Sequence, residues 1–528
     1  MQLPSDLKWL LDAYHKDYSR VAPNNVEKIR LNQLVSKLGF FYEKFRNAID
    51  YNDEHLVRRN ALERLLRRQM FFIKEQNSIK ISQAVIFEFI RARYLPNDTL
   101  PETIITEGGV IIAKYLKILN YLNNHRHAEN TKIADWVVTM AASEVDEYLI
   151  APDKALAMVN FMYSRMVETL YITNTTIDEK EKNLQIYLAV LKTLVRADTT
   201  QLRYRLLRLY NPNWDTISDD QLLNFCQHIS ATKHRIDQHL NHPINFQLAH
   251  VVRRQSVFFT ILREVIEKNE SNEKLFTSEA ELTEQIDLVC TTNYKKIKNK
   301  LVGSIFRVIL YILFTKTILA FLIELPYDKI FVGKIHWEAL AINVLFHPFL
   351  MFVVAMTITV PGNKNTQIII DEIKKIVSGT ERRQVIKIKR SLKRGSASYI
   401  IFNAIYALMF AISFGIIIEI LRKLDFNIMS GTLFVFFLTV VSFFGFRLRN
   451  LAKQLSVIPR KDNLFNFVID FFSLPIIRVG RFFSSNFAKV NIFLFILDFI
   501  IETPFKLLVE FLERAMSFVK DKREEIVE

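Results

Sequence analysis

Residues 303–325 read GSIFRVILYILFTKTILAFLIEL, an apolar run whose only charged members are Arg307, Lys316 and Glu324. Roughly 20 helical residues at about 1.5 Å of rise each cross a ~30 Å hydrocarbon core, so this run is long enough to span a bilayer. Three more follow at 337–360, 398–421 and 431–446, the last of them short and rich in Phe. They make the later part of the chain an integral membrane domain.

The flanking charges set the expected orientation. Lys295, Lys296, Lys298 and Lys300 precede the first run, and residues 364–394 hold ten basic residues against three acidic ones. Arg447, Arg449, Lys453, Arg460 and Lys461 follow the fourth run, whereas the two other loops carry only Lys329, Lys334, Arg422 and Lys423. By the positive-inside rule the basic loops and both termini are expected on the cytoplasmic face of an inner or plasma membrane. Residues 1–6 lack a basic segment leading into an apolar one, so no cleaved signal peptide is expected.

Ahead of the spans lies an ordinary charged sequence of about 300 residues, which is why the mean hydropathy of the whole is only +0.12. Gly and Pro are scarce, 12 and 13 in 528 residues, which argues against a turn-rich β fold. Apolar residues recur at helical spacing, as in Val26, Ile29, Leu34, Val35, Leu38, Phe41, Tyr42 and Phe45, which predicts an amphipathic helix there. Breaks are expected at Pro23, at 95–101, at Ala151-Pro152, at Asn211-Pro212-Asn213 and at His242-Pro243. The predicted fold class is therefore all-α. It comprises a cytoplasmic helical bundle over 1–300 and a four-helix transmembrane domain over 301–447, with a basic cytoplasmic loop at 361–397. A C-terminal region of interfacial amphipathic helices follows over 448–528.

Several features of the first 300 residues bear on chemistry. His228, His234, His239, His242 and His250 cluster near Cys226 and Asp237, but on a helix His228 and His239 sit about 16 Å apart, and only His239 and His242 have a ligand-like spacing. No metal and no cofactor is expected. Cys226 and Cys290 cannot build a disulfide framework and read as buried, reduced thiols. Arginines at 58, 59, 64, 67 and 68 and at 203, 205 and 208, with a net charge of +15, raise the question of nucleic acid. Glu63 and the leucines between them read instead as a solvated helix face, and anionic lipid is the more economical partner. Gly108-Gly109 lacks the spacing of a phosphate-binding loop and reads as a turn before a helix at 110–122, and Glu144 and Glu147 read as an exposed helix face. No catalytic motif is present, so no enzymatic activity is expected.

The membrane domain is more informative. Lys316 lies near the middle of the first run and His347 near the middle of the second, so an antiparallel hairpin brings them to one depth. Each such charge costs about 2.5–3.5 kcal/mol on insertion scales and usually faces the bundle interior. Asn343, Asn403 and Ser413 are candidates to satisfy them, whereas Glu324 is expected at the outer end, with Lys316 snorkelling toward it or toward headgroups. The candidate intramembrane site is thus Lys316, His347, Asn343 and Asn403.

Two further segments look membrane-associated. Ile368, Ile369, Ile370, Ile373, Ile376 and Val377 form an apolar stripe ahead of a basic run, the pattern of a membrane-surface or subunit-contacting helix. Residues 467–472 (FVIDFF) and 495–500 (FILDFI) form a weak duplication, expected to lie as two interfacial helices in the inner leaflet. The candidate headgroup contacts are Arg382, Arg383, Lys387, Lys389, Arg390, Lys393, Arg394, Arg478 and Arg481. Two functions follow from this layout. The first is a non-catalytic scaffold whose helical domain binds a protein partner, or a second copy of the chain, at the membrane. The alternative is an oligomeric channel or transporter with Lys316 and His347 near the path.

Overall fold

The computed structural model describes residues 3–16, 26–31, 54–125, 130–171, 177–269, 273–380, 396–458, 464–489, 511, 515, 518 and 519. The basic run from Arg382 to Arg394 and the second copy of the duplication lie outside the described residues. Among those described the chain is all-helical; the sole β pairing is an isolated bridge between Lys28 and Pro101. Two compact units result, one drawn from Asp6–Ser256 and the other beginning at Val257.

The first unit contains α1 (Ser5–His15), α2 (Glu54–Arg67), α3 (Ser78–Arg91), α4 (Thr103–Asn124), α5 (Asn130–Ile150), α6 (Asp153–Thr169), α7 (Glu179–Leu194), α8 (Thr199–Tyr210), α9 (Asp219–Gln227) and α10 (Ile229–Leu240). Side-chain caps fix several starts. Asn77 accepts from two amides of α3, and Asp198 and Ser218 form reciprocal capping boxes with Gln201 and Gln221. The breaks at 95–101, 151–152, 211–213 and 242–243 fall between helices as expected.

Four expectations for this region are overturned. Residues 26–31 are extended rather than helical, because Ile29 donates to the Leu100 carbonyl and accepts from Asp98 N–H. The stripe's remainder, 32–45, lies outside the described residues. Gly108-Gly109 is inside α4, not in a turn, and presses on α3: a Cβ on Gly108 would stand 2.6 Å from Ser82 Oγ and one on Gly109 3.1 Å from Ile79 Cγ1. The pair exists to let two helices approach. Glu144 and Glu147 are not on an exposed face, because α5 is enclosed by its neighbours on most sides. Glu144 accepts from Lys114 Nζ at 2.6 Å, Tyr115 Oη at 2.5 Å and Trp214 Nε1 at 2.7 Å. Glu147 pairs with Arg205 at 2.9 Å and with Arg208 at 3.5 Å, yet burial still pushes its carboxyl above the usual range.

The arginine clusters are likewise engaged. Arg58 pairs with Asp146, Arg59 with Glu63 and Asp198, Arg67 with Glu63 and Asp135, and Arg203 with Asp237. Arg59 is buried, so this is a set of interhelical clamps rather than a solvated face. His239 Nδ1 bonds Glu181 at 3.0 Å, and among the described residues no three His, Cys, Asp or Glu side chains converge as metal ligands. Cys226 is buried and its thiol is pushed up to about 11 by desolvation.

The boundary between units falls inside α11 (Asn245–Lys268). The second unit is built on α12 (Glu279–Leu319), α13 (Trp337–Met356), α14 (Asn363–Ser378), α15 (Ser396–Lys423), α16 (Ile428–Ala452) and α17 (Leu464–Lys489). Four apolar helices are long enough to cross a membrane: α12 with its continuation to Val332, α13, α15 and α16. The fourth is not short, since α16 runs for 25 residues from an Asn427 cap. Their outward faces carry Phe306, Phe314, Phe321, Leu345, Phe352, Ile405 and Ile416, all exposed. Helices apolar all round but buried along one stripe are what lipid, not water, completes.

Inside, α12, α13 and α16 pack on one another, and α17 lies against α16 and α15. α14 packs on α12: Ile369, Ile373, Ile376 and Val377 are buried, Lys374 pairs with Glu279 at 2.9 Å, and Asn365 donates to Tyr294 Oη at 2.9 Å. The chain itself thus covers most of the stripe expected to face a membrane surface or another subunit, leaving Ile368 exposed. α17 also departs from expectation. Gly480 sits so close to α16 that a Cβ would stand 2.0 Å from the Thr439 carbonyl oxygen, and Phe483 meets Phe436. Arg478 and Arg481 flank Gly480 and are exposed, with the Arg478 guanidinium 4.9 Å from the Tyr406 ring centre. The close contact of Gly480 with Thr439 positions this helix along the fourth span.

Candidate intramembrane polar site

The site forms because the first span changes its winding. Eight residues separate Lys316 from Glu324, about 2.2 turns of α-helix, which would leave the two roughly 80° apart around the axis. After Leu319 the helix widens into a π segment, Ala320–Glu324, followed by the single turn Leu325–Tyr327 and a second π segment, Asp328–Val332. The wider turns rotate Glu324 back onto the face of Lys316 and leave Asp328 pointing inward, so all three side chains are buried. Gly333, at φ +76°, ends the run by donating its N–H to the Asp328 carbonyl at 2.8 Å.

Asn343 of α13 joins the two charges. Its Oδ1 accepts from Lys316 Nζ at 2.5 Å, and its Nδ2 donates to both Glu324 oxygens at 2.8 Å and to the Ser430 carbonyl at 3.3 Å. Only this amide orientation works, since the flipped one would set NH₂ against ammonium and oxygen against carboxylate. Ser430 Oγ gives Glu324 another hydrogen bond at 3.1 Å. The Lys316 ammonium also stands 4.4 Å from the Phe437 ring centre, a cation–π contact in a dry setting.

One turn along α13, His347 is fully buried between two backbone acceptors. Nδ1 is 3.0 Å from the Asn343 carbonyl oxygen and Nε2 3.0 Å from that of Phe434. Phe434, Phe346 and Phe437 surround its ring.

Toward the sparsely charged loops the polar chain continues to Asp328. That carboxylate accepts from Asn427 Nδ2 and from His336 N–H at 3.2 Å, so it ties together the starts of α13 and α16, while the His336 imidazole lies 3.6 Å from it. Toward the basic loops the character reverses. Leu301, Ile312, Met351, Val441, Leu448 and Ala452 form an apolar cluster with Met351 one turn beyond His347. Buried polar groups therefore gather toward one end of the bundle interior and apolar ones toward the other.

Lys316, Asn343 and His347 are brought together, and Lys316 does not snorkel. Asn403 is exposed on α15 and takes no part, and Ser413 is buried there with its hydroxyl lacking a hydrogen-bond partner among the described residues. Glu324, Asp328, Asn427 and Ser430 were not in the sequence-derived site. A signal existed: Glu324, Asn343 and Ser430 each lie within two turns of the sparsely charged end of a span. No protein-family model matches this chain, and comparison with curated proteins and solved structures found no match.

Proposed function

We propose that the membrane unit is a gated ion path, with Lys316, Glu324 and His347 as its charged elements and Met351 and its neighbours as the closed gate. The observation that carries this reading is the asymmetry of the bundle interior: hydrogen-bonded polar groups from Asp328 to His347, then hydrocarbon. Ionisable groups are costly within a membrane, and where they persist facing inward they mark ion pathways and proton relays. The helices here are also deformable, with two π segments beside Glu324 and Pro348 leaving the Val344 carbonyl without its helical donor. The sequence-derived alternative thereby gains over the anchored scaffold. With the basic loops cytoplasmic, the polar string opens to the outside.

The test is flux in liposomes containing the full chain, compared with Lys316→Leu and His347→Ala at matched incorporation. Both variants should insert normally and lose at least tenfold of the flux. Equal flux in all three, or none in the unaltered chain, would defeat the reading. The scaffold reading keeps one support, a large unit over Asp6–Ser256 with its own core. Purification from gentle detergent with a stoichiometric protein partner, together with silent Lys316→Leu and His347→Ala variants, would favour it.

A further inference from the structure

We propose that the ion carried by this path is the proton and that His347 is where it is held; the inference rests on the path reading above. Two observations lead to it.

The first is the pair of acceptors around His347. A neutral imidazole has one N–H and one lone pair, so with both nitrogens 3.0 Å from carbonyl oxygens one lone pair must face another. An imidazolium donates on both sides and satisfies both contacts.

The second is the charge of the string. Glu324 and Asp328 are two buried carboxylates and Lys316 is one buried ammonium, so in a low-dielectric interior the set is one positive charge short. A proton on His347 supplies it. Lys316, on α12, opposes that proton and Glu324, on the adjoining π segment, favours it. α16 presents no ionisable side chain between Ile428 and Phe446, and on α13 itself Glu338 is exposed at the helix start. His336, part-exposed beside Asp328, is the alternative holder at the mouth. Protonation of His347 consumes one proton from the aqueous face and forms one N–H bond; release toward the basic side reverses it.

Larger ions do not fit. The carboxylate and amide oxygens at the centre already accept hydrogen bonds, those of Glu324 from Asn343 and Ser430 and Asn343 Oδ1 from Lys316. A metal cation would have to displace these donors beside a fixed ammonium, and an anion would meet Glu324.

The test uses the full chain in liposomes of phosphatidylcholine and phosphatidylglycerol, with a trapped pH dye and a potassium–valinomycin potential. Proton entry is expected, unchanged when sodium is replaced by choline and reduced at least tenfold in His347→Gln. Sodium or potassium flux without a pH change, or an unimpaired His347→Gln variant, overturns the proposal while the path reading stands. Absence of any flux overturns the path reading, and ¹⁵N-histidine NMR of the same liposomes then judges the site alone. A doubly protonated imidazolium signal is expected that disappears in His347→Gln, strengthens in Lys316→Leu and weakens in Glu324→Gln at one fixed pH. A neutral signal unmoved by the Lys316 and Glu324 changes overturns His347 as the proton site.

Discussion

Each unit buries a glutamate, and the two are satisfied differently. Glu144 in the first unit takes its lysine directly, with Lys114 Nζ at 2.6 Å, and adds a tyrosine and a tryptophan donor. Glu324 in the membrane unit meets Lys316 only through Asn343. A closed ion pair is a clamp: its charges cancel and it locks α4 to α5. An amide-spaced pair leaves each charge partly uncompensated and able to respond to a third group, here His347. The first arrangement suits a rigid core and the second a site that changes protonation.

The largest expected effect follows from that contrast. Glu144→Gln removes the charge that Lys114 faces directly and should cost about 3–5 kcal/mol, as for breaking a buried pair. The Trp214 indole rests on Glu144, so near-ultraviolet circular dichroism during thermal unfolding reports the loss. Glu324→Gln keeps hydrogen bonds to Asn343 and Ser430 and should cost only about 1–3 kcal/mol. Equal costs would break the comparison. The double change Lys316→Met with Glu324→Leu sharpens it: apolar side chains in place of the pair should leave stability within about 1–2 kcal/mol of the original while abolishing flux. A destabilised double variant would make the pair structural.

Helix contacts differ between the units in the same sense. Gly480→Ala drives a methyl into the Thr439 backbone, which cannot yield, so α17 should separate from α16 at a cost of about 1–3 kcal/mol. A disulfide between cysteines placed at Phe436 and Phe483 should form in the parent and fail in that variant. Gly108→Ala meets only the Ser82 hydroxyl, which can rotate away, and should cost under about 1 kcal/mol. The least perturbing test is topological. Cysteines at the exposed Lys334 and Asp425 should react with an impermeant reagent outside intact cells and one at Thr380 should not, and the reverse pattern would invert the string and its seal.

The four apolar spans were legible because length and hydropathy act locally. The approach of Lys316 to the part of the second span that carries Asn343 and His347 was legible because helix rise is constant. Glu324 was missed because its phase depends on a π segment that only packing against Asn343 and Ser430 makes worthwhile. Glu144 was misread because the carboxylate spacing on α5 is that of any helix, and its burial comes from packing against α2, α4 and α8 and from Trp214, 70 residues away. Gly108-Gly109 and Gly480 illustrate one ambiguity: glycine marks a turn or a close approach, and the sequence does not say which. Residues 26–31 followed a helical period by chance, while the Leu100 carbonyl claimed their backbone.

The gate can be opened by substitution, which tests the path most directly. Met351→Ser, placing a hydroxyl in the apolar seal one turn beyond His347, should raise proton flux in liposomes at least tenfold, and adding Lys316→Leu should abolish the gain. Flux in Met351→Ser indistinguishable from protein-free liposomes would contradict an ion path through this site.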